Sequence, residues 1–372
     1  MPKKIVISLL VGAVLSSLAL YLAFRNVPMA DLVAYLGTIS YVWIAPSAAL
    51  VLLTFVLRVY RWRIILKGAL TIGFWPAFHP LMIGFMINCI LPGRVGEIAR
   101  PALLKKQRGL AMTTGLATVA AERVFDMMML IVLFAAVFST VTSRPDLDVT
   151  FGGFQLDSQT LQSTAWAMIR ISILLLVGLG LLALARTRHW IMRAIDAAAA
   201  VIGMAGPGIK RRAARVSHFL KQLLQNVALG LSLVRHPLRV AACIGLTVAI
   251  WFVTVLSYYV FALGCPGVEL TLVQMTTVVV ITCFFIALPS VPGFWGLWEA
   301  GGIFALSLFG VVGGDAAGYT LVNHAVQMFP VILVGLGSAL VTSVNIWKLT
   351  FGEKTDHMEE PNVRRSVASE SP

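Results

Sequence analysis

Three charged residues lie within a long apolar stretch and are the first candidates for chemistry. Glu122, Arg123 and Asp126 interrupt what would otherwise be an apolar helix, and a charge inside a membrane usually faces a partner or a polar cavity. Glu122 and Asp126 share one helical face, and Arg123 can reach Asp126 three residues on. Glu122 then needs a partner from elsewhere, for which Arg94 and Arg100 are available. The triplet either holds a helix bundle together or takes part in ion coupling, proton coupling or headgroup contact.

A break rich in proline and glycine precedes this triplet. Pro92 and Gly93 interrupt helical structure after an apolar run, and Gly93 and Gly96 permit tight turns and close backbone approach. A helix that begins after the break would offer free N–H groups and the positive end of its dipole to an anion.

Three charged residues follow the break at short spacing. Arg94 and Arg100 could clamp a phosphate group by paired hydrogen bonds. Glu97 could pair with one of these arginines or accept a proton. The alternative is a cytoplasmic loop whose arginines only set the membrane topology.

A second break interrupts a later apolar run. It consists of two prolines and two glycines: Pro289, Pro292, Gly293 and Gly296. Trp295 and Trp298 beside it suit a membrane interface or a lipid-facing groove. Glu299 comes next, directly before apolar residues, and is therefore a candidate carboxylate within the membrane.

The two breaks resemble each other. The pattern Pro-Gly-x-x-Gly begins at Pro92 and again at Pro292, 200 residues later, and each copy follows an apolar run and opens a helix-like segment. Paired interruptions of this kind point to the binding site in transporters built from internal repeats. Two unrelated loop ends would give the same pattern by chance.

Polar residues also occur on the last long apolar run. They are Asn323, His324 and Gln327. Hydrogen bonds between helices are one interpretation, and the lining of a cavity is the other.

The elements that carry these residues must lie in a membrane. The chain of 372 residues is 59% hydrophobic and 12% charged, whereas a soluble domain is about 25% charged. A helix of about 20 apolar residues crosses a bilayer, and outer-membrane strands would alternate in segments of about ten residues. Five runs come close to or exceed the helical length, with few or no charges: 5–24, 169–185, 240–263, 270–289 and 321–346. The composition therefore predicts an all-α, polytopic helical bundle.

At about 20 residues per span, the apolar segments along the chain predict about 7–9 membrane spans. The first is 5–24 and the second 41–57, and later spans include 111–141 and 165–185. The apolar segment 74–91 has basic stretches on both sides and is too short to cross twice, so we expect a re-entrant or broken helix that enters and leaves on the cytoplasmic side.

The same pass along the chain predicts its domain organisation. One membrane domain covers 1–347 and contains a basic cytoplasmic segment, 186–239, with an amphipathic helix at 216–234. Residues 348–372 form a polar tail that we expect to be disordered.

The charge distribution gives the orientation. The net charge is +13, and 25 of the 29 Lys and Arg residues fall in five stretches that alternate with neutral or acidic ones. This is the positive-inside pattern, and it argues against nucleic acid as a partner. We expect a multi-pass protein of the bacterial cytoplasmic (inner) membrane with both termini in the cytoplasm.

Metal and cofactor chemistry is not indicated. The four cysteines form no C-x-x-C pair and lie in or beside apolar runs, and the sequence contains no H-E-x-x-H, G-x-S-x-G or Walker A motif. We expect no cofactor and no metal.

Taken together, the motifs resemble a known family. Its pattern is matched by Pro92-Gly93-x-x-Gly96-Glu97-x-x-Arg100, by Glu122-Arg123-x-x-Asp126 and by Pro292-Gly293-x-x-Gly296-x-x-Glu299. In this order and spacing they resemble the lysylphosphatidylglycerol synthetase transmembrane-region family, also called flippase-like. The resemblance implies a helical membrane domain associated with moving lipids across the bilayer. We expect the stand-alone form, without the soluble aminoacyl-transferase domain.

Three hypotheses follow. In the first, the protein is a lipid flippase that moves an anionic phospholipid, glycolipid or polyprenyl- or hopanoid-type lipid; Arg94, Arg100 and Arg123 bind the headgroup, while Glu97, Glu122, Asp126 and Glu299 supply countercharge or proton coupling. In the second, the same carboxylates act as acid and base in an enzyme of lipid or glycan synthesis. In the third, segment 186–239 docks cytoplasmic enzymes of lipid biosynthesis.

Overall fold

The computed structural model describes residues 3–91, 94–142, 149–151, 154–156, 185–204, 236–287 and 292–344, with scattered residues between 166 and 221. Several predicted features lie wholly or largely outside these residues: Pro92, Gly93, Pro289, the span 165–185, the helix 216–234 and the tail 348–372.

Eleven helices account for almost all of the described residues. They are α1 (Lys3–Phe24), α2 (Met29–Thr38), α3 (Ile44–Leu66), α4 (Phe74–Ile90), α5 (Gly96–Arg108), α6 (Met112–Thr142), α7 (Ala185–Gly203), α8 (Pro237–Ala262), α9 (Leu272–Ile286), α10 (Leu297–Ser307) and α11 (Gly313–Val341). Short 3₁₀ turns at Tyr41–Trp43 and Pro292–Phe294 precede α3 and α10. A small antiparallel hairpin pairs β1 (Val149–Phe151) with β2 (Phe154–Leu156). The predicted all-helical architecture is confirmed, with this hairpin as its one exception among the described residues.

Three stretches of the described residues are long and apolar enough to cross a membrane. They are Tyr41–Leu66, Pro237–Ala262 and Gly313–Val341. Ala13–Phe24 and Met29–Thr38 pass the same test together but meet at an angle of 80°. The described residues thus give three spans, or four with the bent pair, and the predicted count of about 7–9 stays a prediction.

The second predicted span is longer than the sequence indicated. It was expected to end at residue 57 before a basic cytoplasmic stretch, but α3 continues to Leu66. Arg61 therefore lies inside the helix with a fully buried side chain. Its ion pair with Asp126 supplies the partner that a buried charge needs.

The helix order repeats. A short apolar helix, a break, a second short helix and a long helix occur as α4, α5 and α6 and again as α9, α10 and α11. Their lengths are 17, 13 and 31 residues in the first set and 15, 11 and 29 in the second. Adding 200 to the bounds of the first set gives those of the second to within four residues. This agreement supports the internal repeat that the two breaks suggested.

Helix packing brings the two repeats into contact. The long helix α11 packs against α4, and α9 packs against α6. Outside the repeats, α3 packs along α8. The largest apolar core contains residues of six helices: α1, α2, α8, α9, α10 and α11. A second core lies around Trp62 of α3 and Leu81 of α4. Helices α3, α5 and α6 meet beside this second core and carry the charged residues.

Candidate functional site

A cluster of charged side chains lies where α3, α5 and α6 meet. Asp126 of α6 receives hydrogen bonds from two arginines of α3: Arg61 Nη1 lies 2.6 Å from one carboxylate oxygen and Arg58 Nη1 lies 3.4 Å from the other. Arg123 Nη1, on the same helix as Asp126, is 3.8 Å away. Arg61 also donates to the Thr247 hydroxyl of α8 at 2.9 Å. One carboxylate therefore holds three arginines together.

A second ion pair lies beside the first. Arg100 Nη2 of α5 donates to Glu122 Oε2 of α6 at 2.7 Å, and both side chains are 2% exposed. The expected pairing of Glu122 with one of the arginines after the break is therefore confirmed for Arg100. The Arg100 guanidinium carbon lies 4.2 Å from the ring centroid of Trp62. Trp62 is fixed in turn by a hydrogen bond from Nε1 to the Thr118 hydroxyl.

The outer edge of the cluster is half-exposed. Glu97 Oε1 lies 3.6 Å from Arg123 Nε, and these side chains are 25% and 32% exposed. Of the two alternatives for Glu97, a pairing with Arg94 or Arg100 is not found among the residues that the structure describes. Arg100 turns inward to Glu122, while Arg94 lies at the exposed end and donates to the backbone carbonyl of Ile286 at 3.3 Å. Glu97 is left facing Arg123 at the edge.

The cluster carries an excess of positive charge. Four arginines, namely Arg58, Arg61, Arg100 and Arg123, face three carboxylates, namely Glu97, Glu122 and Asp126. Several buried guanidinium nitrogens have no hydrogen-bond partner among the described residues: Nε and Nη2 of Arg61, and Nε of Arg100 and of Arg123. Buried N–H groups usually find a partner, so the cluster can accept an anion.

Small residues let α5 pack closely against α4 and so position Arg100. The backbone N–H of Gly96 donates to Asn88 Oδ1 of α4 at 2.8 Å. A Cβ atom at Gly96 would overlap the carbonyl of Gly84, and one at Gly84 would overlap the side chain of Arg100. Glycine is required at both positions for Arg100 to pass over α4 and reach Glu122.

Glu299 lies in a separate site at the second break. Its Oε2 accepts the backbone N–H of Gly296 at 2.7 Å, and its Oε1 lies 2.6 Å from His324 Nδ1 of α11. His324 Nε2 lies 2.8 Å from the carbonyl oxygen of Gly293. Glu299 forms no ion pair with the arginines within the described residues. The sequence grouped it with the charged triplet, and the structure separates the two.

The two breaks are neighbours in space. Arg94 of the first break reaches the carbonyl at the end of α9, just before the second break. Gly293 has φ of 72°, and a Cβ there would lie 3.2 Å from the backbone carbonyl of Cys89 at the end of α4. Gly296, with φ of 89°, lies directly against the backbone of α1 at Ser16. The interrupted segments of the two repeats therefore meet on one side of the bundle.

Sequence reasoning missed two members of the cluster. It assigns Arg58 and Arg61 to a basic cytoplasmic stretch after residue 57, although their spacing puts them on one helical face and apolar residues continue to Leu66. For His324 and Gln327 it left hydrogen bonds between helices and the lining of a cavity as alternatives. Both side chains make contacts between helices: His324 Nδ1 lies 2.6 Å from Glu299 Oε1, and Gln327 donates to the Ser257 hydroxyl of α8 at 3.0 Å. The residues that the structure describes contain no group of side chains suited to hold a metal ion.

Comparison with known proteins gives the family. Residues 5–335 match the family described as the lysylphosphatidylglycerol synthase TM region. The chain belongs to this family. The resemblance drawn from the three motifs is thereby confirmed, and with it a multi-pass membrane protein.

Two relatives share this region. The glycosyltransferase AglD of Haloferax volcanii is 25% identical over 364 residues, which cover 91% of this chain and 55% of the relative. A UPF0104 membrane protein of Methanocaldococcus jannaschii is 23% identical over 269 residues, which cover 72% of this chain and 99% of the relative. The chain thus spans about half the length of AglD. No solved structure matches the chain significantly.

Proposed function

We propose that this protein is a flippase that moves an anionic amphiphile between the leaflets of a membrane. The observation that carries the proposal is the arginine cluster: four arginines against three carboxylates, inside an apolar bundle, with buried N–H groups that have no partner among the described residues. Isolated charge in a membrane interior is costly and marks substrate pathways. A phosphate group fits the excess charge and the free donors.

The exposure of the cluster suggests a path for the headgroup. Arg94 is exposed and Arg123 is half-exposed, whereas Arg100 and Arg61 are buried. A phosphate that enters at Arg94 and Arg123 would meet progressively less water and more arginine N–H donors. The long ion pairs of Arg123, at 3.6 and 3.8 Å, leave its guanidinium available to exchange partners. The lipid tails would stay in the hydrocarbon while the headgroup moves through the bundle.

The relatives support a lipid or lipid-linked substrate. One is named a membrane protein and the other a glycosyltransferase, so phospholipids and lipid-linked sugars are the substrate classes to test first. The positive-inside pattern supports the bacterial cytoplasmic membrane with both termini in the cytoplasm.

Reconstitution tests the function. The full-length protein is placed in liposomes with a fluorescent anionic phosphatidylglycerol or a fluorescent zwitterionic phosphatidylcholine, and a membrane-impermeant quencher reports the outer-leaflet fraction over time. The wild type should equilibrate the anionic label faster than empty liposomes do. A hydrogen bond to a charged group contributes about 1.5–3 kcal/mol, so Arg123→Gln should slow the anionic lipid by about tenfold or more.

Arg108→Gln is the matched control. Arg108 lies at the exposed far end of α5 and is not part of the cluster, so the same loss of charge should leave the rate unchanged. A wild-type rate equal to that of empty liposomes for every lipid would refute the flippase. Equal rates for the wild type and Arg123→Gln would refute the assignment of the site.

A membrane-embedded enzyme of glycan or lipid synthesis is the second candidate. The similarity to AglD over 91% of this chain favours it, and Glu97, the half-exposed carboxylate at the edge of the cluster, would then serve as acid or base. Lipidomics of a deletion strain separates the two functions. A missing product indicates the enzyme, whereas unchanged composition with an altered leaflet distribution indicates transport.

A further inference from the structure

The second repeat contains a buried glutamate–histidine pair, whereas the buried pair of the first repeat is Arg100–Glu122. Glu299 and His324 are 0% and 1% exposed, and Oε1 lies 2.6 Å from Nδ1. The positions 200 residues earlier are Ala99 and Val124, neither of which can titrate. The repeats therefore differ in chemistry where they agree in helix order.

Two indole rings enclose the imidazole. The ring centroid of His324 lies 4.4 Å from that of Trp298, with the planes 2° apart, and 4.4 Å from that of Trp295. The stacking fixes the ring plane, so the two ring nitrogens can point only at their present partners. Nδ1 faces Glu299 and Nε2 faces the carbonyl of Gly293.

The partners determine where protons must be. The carbonyl oxygen of Gly293 can only accept, so His324 Nε2 must carry hydrogen. The backbone N–H of Gly296 can only donate, so Glu299 Oε2 must accept. One proton must then lie between Nδ1 and Oε1, either as imidazolium with carboxylate or as imidazole with carboxylic acid. Both arrangements contain the same number of protons.

Loss of one proton would leave two lone pairs facing each other in a buried site, either between Nδ1 and Oε1 or, in the other tautomer, between Nε2 and the Gly293 carbonyl oxygen. The carboxylate would also carry an uncompensated charge, which is costly when water is excluded. Gly296 binds Glu299 as an N-terminal cap of α10, and His324 of α11 binds both Glu299 and the carbonyl of Gly293. Docking of the Pro292–Gly296 segment on α11 depends on these two bonds of His324 and therefore on the proton.

No other charged group takes over this role among the described residues. Neither Glu299 nor His324 forms an ion pair with any other described residue. The phenol of Tyr258 on α8 lies behind Trp298, whose ring centroid is 6.3 Å from its own. Cys89 of α4 presents its backbone carbonyl to Gly293, and α1 presents backbone at Ser16 to Gly296. Cys283 of α9 is a further titratable residue in this region, and it packs against the largest apolar core, to which α10 and α11 belong.

We propose that the Glu299–His324 pair is the proton-binding site that drives movement of the Pro292–Gly296 segment: it binds one proton while this segment is docked and releases it to solvent when the segment leaves α11. The coupling of that movement to lipid transfer rests on the proposed function. The proton requirement of the docked segment rests on the geometry alone, and the two are tested separately.

Hydrogen exchange tests the proton requirement on the purified full-length protein. Gly96 and Gly296 have equivalent backbone N–H groups, but the acceptor is the amide of Asn88 at the first break and Glu299 at the second. From about pH 6 to about pH 9, across and above the ordinary pKa of histidine near 6.5, the intrinsic-rate-corrected protection at Gly296 should fall relative to Gly96. The steepest fall in relative protection that we expect is about tenfold per pH unit, which corresponds to the release of one proton.

Glu299→Gln removes the requirement while keeping every contact. A glutamine oxygen can accept from Gly296, and its amide can donate to the unprotonated Nδ1 of His324, so protection at Gly296 should become independent of pH. Glu269→Gln, at an exposed loop carboxylate, should keep the wild-type pH dependence. Equal pH responses at the two glycines in the wild type, or an unchanged response in Glu299→Gln, would overturn the proton site.

Proteoliposomes with an imposed pH gradient test the coupling to transport. The wild type and Glu269→Gln should redistribute anionic lipid in a direction that reverses with the gradient, and Glu299→Gln should equilibrate it without responding. Equal responses in the wild type and Glu299→Gln would overturn the coupling. If the wild type moves no lipid, the proposed function and the coupling fail together, while hydrogen exchange still decides the proton site.

Discussion

The buried Arg100–Glu122 pair gives the sharpest test of the cluster's energetics. Both side chains are 2% exposed and 2.7 Å apart. Removing one partner of a buried pair leaves an uncompensated charge and costs about 3–5 kcal/mol. Methionine fills nearly the volume of either side chain, so Arg100→Met and Glu122→Met should each lower the free energy of unfolding by about that amount. Replacing both should cost no more than about 1–2 kcal/mol, because apolar replacement of a buried pair is often neutral.

A double-mutant cycle measures the difference. Unfolding of the wild type, both single variants and the double variant is followed by denaturant titration in one detergent. The coupling energy should be at least about 3 kcal/mol and favourable, above the usual range for additive sites. Lys106→Met, at an exposed position of the same helix, should change stability by less than about 0.5 kcal/mol. A double variant that loses the sum of the two single losses would refute the pairing as the reason these charges are tolerated.

Two further predictions concern close packing and a surface pair. Gly96→Ala should lower stability by about 1–3 kcal/mol or more, because the added Cβ would overlap the carbonyl of Gly84. Gly37→Ala, where nothing lies within 4 Å of the added Cβ, should not lower stability in the same unfolding assay, since alanine is also the better helix former. Equal losses in the two variants would contradict the argument. A hydrogen bond from the Lys221 ammonium lowers the pKa of the Asp196 carboxyl, so the stabilisation from this pair is present at neutral pH and is lost as the pH falls through that lowered pKa. Lys221→Gln should move the pKa of Asp196 up toward its ordinary value in a carbon-13 NMR titration, and an unchanged titration would show that Lys221 is not the cause.

The acidic part of the cluster could be predicted from sequence because its signal is local. Glu122 and Asp126 are the only acidic residues of the apolar helix α6, and a charge there demands a partner. The breaks were equally visible, since proline and glycine interrupt apolar runs whatever the tertiary structure. The recurrence of the break pattern at Pro92 and Pro292 also located the helix repeat.

The partners could not be predicted because they come from distant parts of the chain. Arg61 binds Asp126 across 65 residues, and no spacing rule relates them. A local hydropathy pattern ends the helix at Arg58, since a charged residue normally marks the membrane edge. His324 and Glu299 lie 25 residues apart on separate helices. Their pairing depends on how α10 and α11 pack, which only tertiary structure determines.

The central claim is that the arginine cluster binds an anionic lipid headgroup. Native mass spectrometry of the purified full-length protein, in an equal mixture of phosphatidylglycerol and phosphatidylcholine, measures this directly. The wild type and Arg108→Gln should retain one phosphatidylglycerol in preference to phosphatidylcholine, and Arg123→Gln should lose that preference. Equal occupancy by the two lipids in the wild type, or the same preference in Arg123→Gln, would contradict the claim.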